Sequence, residues 1–422
     1  MVTAYVQKLR LFSRDVRLYL VTAALIGFTV YGGIYDVLLN LYLLRLGHGP
    51  ESIGLVNAAA FLAMALFSLP AGLLGTRWGI RRTMIAGMSL MVAGYGLLPL
   101  AELLPVTWQQ GWLPATRVLA GLGVALYLVN ASPFLMGATD PEERDHAFSV
   151  QAALWPLAGF AGSLVGGLLP GLFARVSGIA VGQPAPYRYS LLTAALLLIP
   201  GVLALWATRE VHIEQTRERA AKREAAPYGL IVLMVLVGVL RVAGEFGVRS
   251  FFNVYLDADL RVPTAQIGTL MAVGQLLSVP AALAMPMLTA RWGQGRTIAL
   301  GALGVALSLL PLALIPHLGA AALSFIAMVA LASIVRPAFT VYSQELVTPT
   351  WRPVMSGATN LAAGLGAGAM MLAAGYVVTA LGYRSFFTIP AGLIATGALL
   401  FWAYFRVPRG ELARRSAVST ER

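Results

Sequence analysis

The sequence predicts an all-α membrane protein in which twelve transmembrane helices form two pseudo-symmetric six-helix bundles. Three observations predict it. Of 422 residues 58% are hydrophobic and only 11% charged, where a soluble domain carries about 25% charged residues. Apolar runs of membrane-spanning length recur along the whole chain. The second half of the chain also repeats the first.

The runs fall at about 18–46, 52–75, 83–104, 112–138, 147–174, 188–207, 228–256, 264–289, 297–316, 318–346, 353–380 and 384–406. Each holds the roughly 20 apolar residues that a helix needs to cross a bilayer. They are rich in Ala, Gly and Leu, and small residues let helix backbones approach where lipid supplies no hydrophobic drive between helices. Strands of a membrane barrel would alternate over about ten residues, and no such alternation occurs. The first run is too long for a signal peptide and has no small-residue cleavage pattern after it, so it is expected to remain as span 1.

Counting Arg and Lys on alternate loops orients the chain. The side holding both termini carries 21 of the 30, the opposite side carries 5, and Arg117, Arg241, Arg249 and Arg336 lie inside spans. By the positive-inside rule both termini are cytoplasmic, which implies a multi-pass protein of the plasma (inner) membrane. The segment 208–227, with mixed charges, is expected to be a cytoplasmic linker with a surface helix. It separates bundles at 1–207 and 228–406, and 407–422 forms a cytoplasmic tail.

The repeat is specific. An offset of 214 carries Ile53-Gly54 onto Ile267-Gly268, Arg77-Trp78-Gly79 onto Arg291-Trp292-Gly293, and Arg82-Thr83 onto Arg296-Thr297. At 213, Asn40 and Tyr42 meet Asn253 and Tyr255, and at 208, Pro141 and Arg144 meet Pro349 and Arg352. Two halves repeated in the same orientation suit a transporter that rocks about a site between them; a fixed channel does not need them.

Composition excludes other classes. The chain has no cysteine, so it has neither a disulfide framework nor a cysteine metal site, and its four histidines are scattered. The net charge of +12 is spread between apolar runs, whereas nucleic-acid binding calls for a basic face on a folded domain. No phosphate-cradling loop, zinc-protease motif or nucleophile elbow occurs. Neither catalysis nor ATP hydrolysis is therefore expected, and no cofactor or metal.

Between spans 2 and 3 stands Gly72-Leu-Leu-Gly75-Thr76-Arg77-Trp78-Gly79-Ile80-Arg81-Arg82. This resembles the loop signature of the major facilitator superfamily, Gly-x-Leu-Ala-Asp-Arg-x-Gly-Arg-Arg. Gly72, Leu74, Arg77, Gly79 and Arg81 match, while Thr76 replaces the acid and Ile80 a basic residue. The resemblance implies the superfamily's twelve-helix fold and a loop that takes part in conformational change, although the missing carboxylate weakens the charge latch. A second signature, Arg-x-x-x-Gly-x-Gly, is matched by Arg117, Gly121 and Gly123, which implies a role for Arg117 in proton coupling. In span 5, Gly162-Ser163-Leu-Val-Gly166-Gly167 is similar to the Gly-Pro-x-x-Gly-Gly of drug antiporters, with Ser163 in place of the proline.

The intramembrane charges name the candidate site. An unpaired arginine at mid-span costs about 2.5–3.5 kcal/mol, so the four need partners or water. Asp36 and Glu245 are the available acids, which leaves an excess of two positive charges. Asp36 in span 1, with Asn40 one turn later on the same face, reads as a protonatable coupling carboxyl. Glu245 is the second candidate. Arg241, Glu245 and Arg249 follow at i, i+4 on span 7, with Asn253 continuing the stripe. Their arrangement fits either a self-neutralising ladder or a cavity wall. Arg336 precedes Pro337 in span 10, where a proline can kink the helix and free a carbonyl. Tyr31, Tyr35 and Tyr42 form a loose stripe on span 1, from which Tyr35 is assigned to the cavity.

The expectation is a monomeric secondary active transporter of a small organic solute, anionic or zwitterionic, coupled to protons. A proton-coupled multidrug efflux antiporter is the alternative within transport, and a transporter-like membrane receptor the alternative outside it.

Overall fold

The computed structural model describes residues 12–210, 227–348, 351–407 and 410. Most of the segment expected as a linker at 208–227, and of the tail at 407–422, lies outside the described residues.

Among the described residues all regular structure is helical. In chain order the helices are α1 (Arg14–Thr29), α2 (Ile34–Arg45), α3 (Pro50–Trp78), α4 (Ile80–Leu97), α5 (Val106–Ala138), α6 (Pro141–Ser177) and α7 (Pro184–Trp206). There follow α8 (Tyr228–Ala258), α9 (Thr264–Trp292), α10 (Gln294–Ser308), α11 (Leu310–Leu314), α12 (Leu318–Glu345) and α13 (Arg352–Phe405). Eleven stretches are long and apolar enough to cross a membrane, the last of them Val354–Phe405. That last helix is two spans in one. Its 54 residues would extend about 80 Å at 1.5 Å per residue, far beyond the roughly 30 Å of a bilayer core. Inside it Gly382 leaves helical geometry at φ 79°, ψ 167°, between the predicted runs 353–380 and 384–406. Among the described residues the crossings therefore number twelve.

The outward faces are those of a membrane protein. Leu66, Leu69 and Leu73 on α3, Val176 on α6, and Leu283 and Met287 on α9 are exposed. Exposed tryptophans stand at span ends: Trp78, Trp108, Trp206 and Trp292, where the amphipathic ring suits the headgroup level.

Span 1 departs from expectation. The sequence reads it as one continuous helix, but it is broken at Val30–Gly33 into α1 and α2. The apolar run passes through the break unchanged, because the glycines that end α1 resemble ordinary intramembrane packing positions. Gly32 takes φ 76°, in the left-handed region that a side chain disfavours.

The repeat, by contrast, is reproduced in backbone detail. Gly79 and Gly293 both precede a helix with positive φ, 97° and 79°. One turn on, the hydroxyls of Thr83 and Thr297 each donate to the carbonyl of that glycine at 2.9 Å.

The chain forms two compact units, which do not follow the repeat boundary. Unit 1 comprises Met1–His48, Leu62–Gln215 and Pro263–Ala272; unit 2 comprises Gly49–Phe61, Thr216–Val262 and Val273–Arg422. Within unit 1, Gly167 and Gly268 back onto each other so closely that a Cβ on Gly268 would lie 2.6 Å from the Gly167 Cα. Within unit 2, a Cβ on Gly54 would lie 2.5 Å from the Met371 carbonyl and 3.2 Å from the Gly375 Cα. The repeat relates these contacts: the offset of 214 carries Gly54 to Gly268, and that of 208 carries Gly167 to Gly375.

Candidate functional site

In unit 2 the structure converges three arginines on one carboxylate. Positions 241, 245 and 249 of α8 share a stripe because four residues turn a helix through slightly more than one revolution. Arg241 Nη1 donates to Glu245 Oε2 at 3.3 Å, and Arg249 Nε lies 3.9 Å from Glu245 Oε1. The third partner comes from α12: Arg336 Nη2 donates to Glu245 Oε1. Arg336 thus pairs with the Glu245 carboxylate rather than with a carbonyl freed by the proline, and α12 runs through Pro337 as a single helix. The Arg241 guanidinium also lies over the Phe339 ring, 5.2 Å from its centroid, a cation–π contact that offsets part of its desolvation. Its Nε is buried without a hydrogen-bond partner.

This cluster carries three positive charges against one negative. Glu245 satisfies the ladder only in part, since one carboxylate cannot neutralise three guanidinium groups. Asn253, one turn beyond Arg249, is fully buried, and its Oδ1 accepts from the Val254 N–H at 2.9 Å. Its side chain is therefore engaged by its own backbone.

In unit 1 the second group gathers around the broken span. Asp36 falls in the first turn of α2, whose N-cap is Gly33. The N-terminus of a helix carries a partial positive charge that complements an acid there. Arg117 on α5 is 7% exposed and lies 5.6 Å from the Tyr95 ring centroid. The Tyr31 hydroxyl is within electrostatic range of both Arg117 and Asp36. The Tyr31 ring stacks on Trp155 of α6, with centroids 5.3 Å apart and planes 9° from parallel.

Two residues assigned to the cavity are deep in packing. Tyr35 is buried, and its hydroxyl lies within hydrogen-bonding distance of two carbonyls, Tyr95 at 2.7 Å and Leu191 at 2.8 Å. It ties α2 to α4 and α7. Asn40 is likewise buried, one turn after Asp36. Tyr42 donates to the Pro99 carbonyl at 2.6 Å, again a bond that holds helices together.

The signature loop is organised around Gly79. The Cβ of any other residue there would lie 2.6 Å from Glu210 Oε1. That carboxylate accepts from the Arg81 N–H at 3.1 Å and so covers the N-terminus of α4, where an acid is favourable. The Arg81 side chain turns to the end of α7, donating from Nε to the Leu205 carbonyl at 3.4 Å and from Nη2 to the Trp206 carbonyl. Arg77 is exposed, and Gly72 packs beside Val129. Thr76, which replaces the signature's acid, instead donates to Leu73 O at 2.9 Å. Sequence reasoning missed Glu210, 131 positions after Gly79. Its only signal was an acid closely following span 6.

A family model described as Major Facilitator Superfamily matches residues 18–370 and 234–420. Among curated relatives, a major facilitator superfamily multidrug transporter of Aspergillus fumigatus is 31% identical over 122 residues, 29% of this chain and 22% of that protein. The methyl viologen resistance protein SmvA of Salmonella typhimurium is 39% identical over 110 residues, 26% of this chain and 21% of that protein. The chain thus spans about a fifth of the length of each of these two. An uncharacterized transporter of the same type from Mycobacterium tuberculosis is 25% identical over 281 residues, 64% of this chain and 62% of that protein. Among solved structures, a mutant of the nucleoside transporter NupG superposes with TM-score 0.74 at 15% identity, covering 92% of this chain and all of that one. The xylose transporter XylE from E. coli, in an inward open conformation, gives 0.73 at 14% identity, covering 95% and 98%.

Proposed function

The chain belongs to the major facilitator superfamily, a family of secondary transporters in membranes, and we propose that it moves a small organic anion or zwitterion by alternating access, coupled to protons. The observation that carries the substrate class is the convergence of Arg241, Arg249 and Arg336 on Glu245. Three guanidinium groups, those of Arg241 and Arg249 half-buried and that of Arg336 exposed, surround one carboxylate and leave a positive excess, which suits a solute carboxylate or phosphate that takes charge-assisted, bidentate hydrogen bonds.

Asp36 is the proposed coupling carboxyl. Glu245 is the less suitable candidate because its two oxygens already face three arginines. Arg117, within range of the same tyrosine as Asp36, is its proposed counter-charge. Arg77, Gly72, Gly79 and Arg81 act in the conformational step rather than in solute binding. In this reading the protein works as a monomer in the plasma (inner) membrane. Bundles at 1–207 and 228–406 are joined by a cytoplasmic linker, and both termini are cytoplasmic.

The second reading is proton-coupled multidrug efflux, favoured by the names of the two locally similar relatives. A cationic drug would have to find an acid other than Glu245, which leaves Asp36 to serve both drug and proton. A transporter-like receptor is the reading outside transport. The test is flux into sealed liposomes that contain the purified protein and an internal pH dye, with organic anions, zwitterions and lipophilic cations offered in turn. Anion-dependent dye response supports the proposal, a response to cations alone supports efflux, and no flux with retained binding supports a receptor.

A further inference from the structure

The interruption of span 1 is the feature of unit 1 that nothing so far explains. Unwound backbone at membrane depth is tolerated only where protein or water satisfies its polar groups. Here α6 supplies the surroundings. α1 closes with the Val30 and Tyr31 N–H groups both donating to the Ile26 carbonyl, at 2.8 and 3.1 Å, and α2 opens with Val37 N–H donating to the Gly33 carbonyl at 3.3 Å. Between them the Gly32 carbonyl accepts from the Ser163 hydroxyl, and Ser163 is fully buried.

The face of α6 around Ser163 is shaped to the break. A Cβ on Gly162 would lie 1.9 Å from the Phe28 carbonyl oxygen, one on Gly159 3.0 Å from the Tyr31 carbonyl oxygen, and one on Gly166 3.0 Å from the Ile34 Cα. Positions 159, 162, 163 and 166 are spaced as one helix face. Three of them give the unwound turn room, and the fourth donates to it. A proline at 163 would offer no hydroxyl.

We infer that Ser163 is a positioning residue for the first span: its hydroxyl holds the Gly32 carbonyl, fixes the residue at which α2 begins, and so sets where Asp36 and Tyr31 stand. Asp36 is three residues past the N-cap, so a shift of the start by one residue would turn its carboxylate by about 100° around the helix axis. The functional weight of this placement rests on the reading of Asp36 as the coupling carboxyl; the placement itself does not.

The test needs no transported solute, which keeps its failure distinct from failure of the transport reading. Hydrogen exchange is followed by mass spectrometry in peptides covering 28–36, together with the rate at which dicyclohexylcarbodiimide modifies Asp36 in detergent-solubilised protein. In Ser163→Ala the exchange of this segment is expected to rise at least tenfold and Asp36 to label at least threefold faster, with the rest of α6 exchanging as in the wild type. Ser163→Thr, which keeps the hydroxyl, returns both toward wild-type values. Ser163→Cys keeps the volume with a weak donor and behaves as the alanine variant, and it replaces that variant if the alanine protein does not fold. Exchange and labelling within twofold of wild type in the alanine or cysteine protein would overturn the inference. So would a cysteine protein like the wild type beside an altered alanine protein, because volume alone would then explain the effect.

Discussion

Replacing Glu245 by Gln tests whether one carboxylate holds the unit 2 cluster together. The amide keeps the shape and removes the charge that faces Arg241 at 3.3 Å, Arg249 at 3.9 Å and Arg336. Removing one partner of a buried ion pair costs about 3–5 kcal/mol, because the remaining charge stays buried without compensation. The three arginines are not equally committed. The Arg336 side chain is 53% exposed and can recover water, so its share is small, whereas the side chains of Arg241 and Arg249 are 13% and 20% exposed beside a carboxylate at 2%. A loss near the lower end, about 3 kcal/mol, is therefore expected. It is read from reversible unfolding of the purified protein in mixed dodecyl maltoside and SDS micelles, extrapolated to zero SDS. Arg241→Gln combined with Glu245→Gln should lose less than the two single losses together, with a coupling of about 0.5–3 kcal/mol. A Glu245→Gln protein within about 0.5 kcal/mol of wild type, the ordinary scatter of neutral surface changes, would refute the ion-pair account, as would strictly additive losses.

Three further outcomes are expected. Gly79→Ala should cost more than Gly293→Ala in the same unfolding assay: both lose about 1–3 kcal/mol because their positive-φ, extended backbone (ψ 142° and 155°) is essentially open to glycine alone, but only Gly79 has a carboxylate 2.6 Å from the new Cβ, while Gly293 has open space; equal costs would remove Glu210 from the loop's description. In the cysteine-free chain, a cysteine at Gly182 should react with an impermeant maleimide on intact cells and one at Ser416 only after permeabilisation, and the reverse pattern would invert the topology. Arg249→Gln should fold yet bind the best anionic solute of the liposome panel about 10–100-fold more weakly, as loss of a charge-assisted bond of roughly 1.5–3 kcal/mol implies; unchanged affinity in a folded protein, measured by calorimetry, would take Arg249 out of the binding site.

The spans were legible because a bilayer imposes length and apolarity on every crossing, and even the turn at Gly382 fell between two predicted runs. The twin turns at Gly79 and Gly293 were legible as Arg-Trp-Gly repeated at a fixed offset. The ladder of Arg241, Glu245 and Arg249 was legible from spacing alone, since i, i+4 residues meet on any helix. Arg336 joining it was not, because that contact joins α8 to α12 and no periodicity links them. The break in span 1 was hidden for a different reason. Gly32 and Gly33 are as compatible with close helix packing as with unwinding, and what decides between them is the fit of Gly159, Gly162 and Ser163 on another helix. Tyr35 was legible only as a member of a stripe with Tyr31: the two backbone carbonyls beside its hydroxyl come from helices that no pattern on span 1 could reveal.

Coupling through Asp36 is the account's central claim, since uphill transport on protons requires a group that takes up and releases one as access alternates between the two sides. Asparagine has nearly the same shape and no proton to exchange. In liposomes with an imposed pH difference, Asp36→Asn protein should fail to concentrate the solute that wild-type protein accumulates, while still exchanging labelled for unlabelled solute at a comparable rate. Accumulation against the solute gradient by Asp36→Asn protein would contradict the claim.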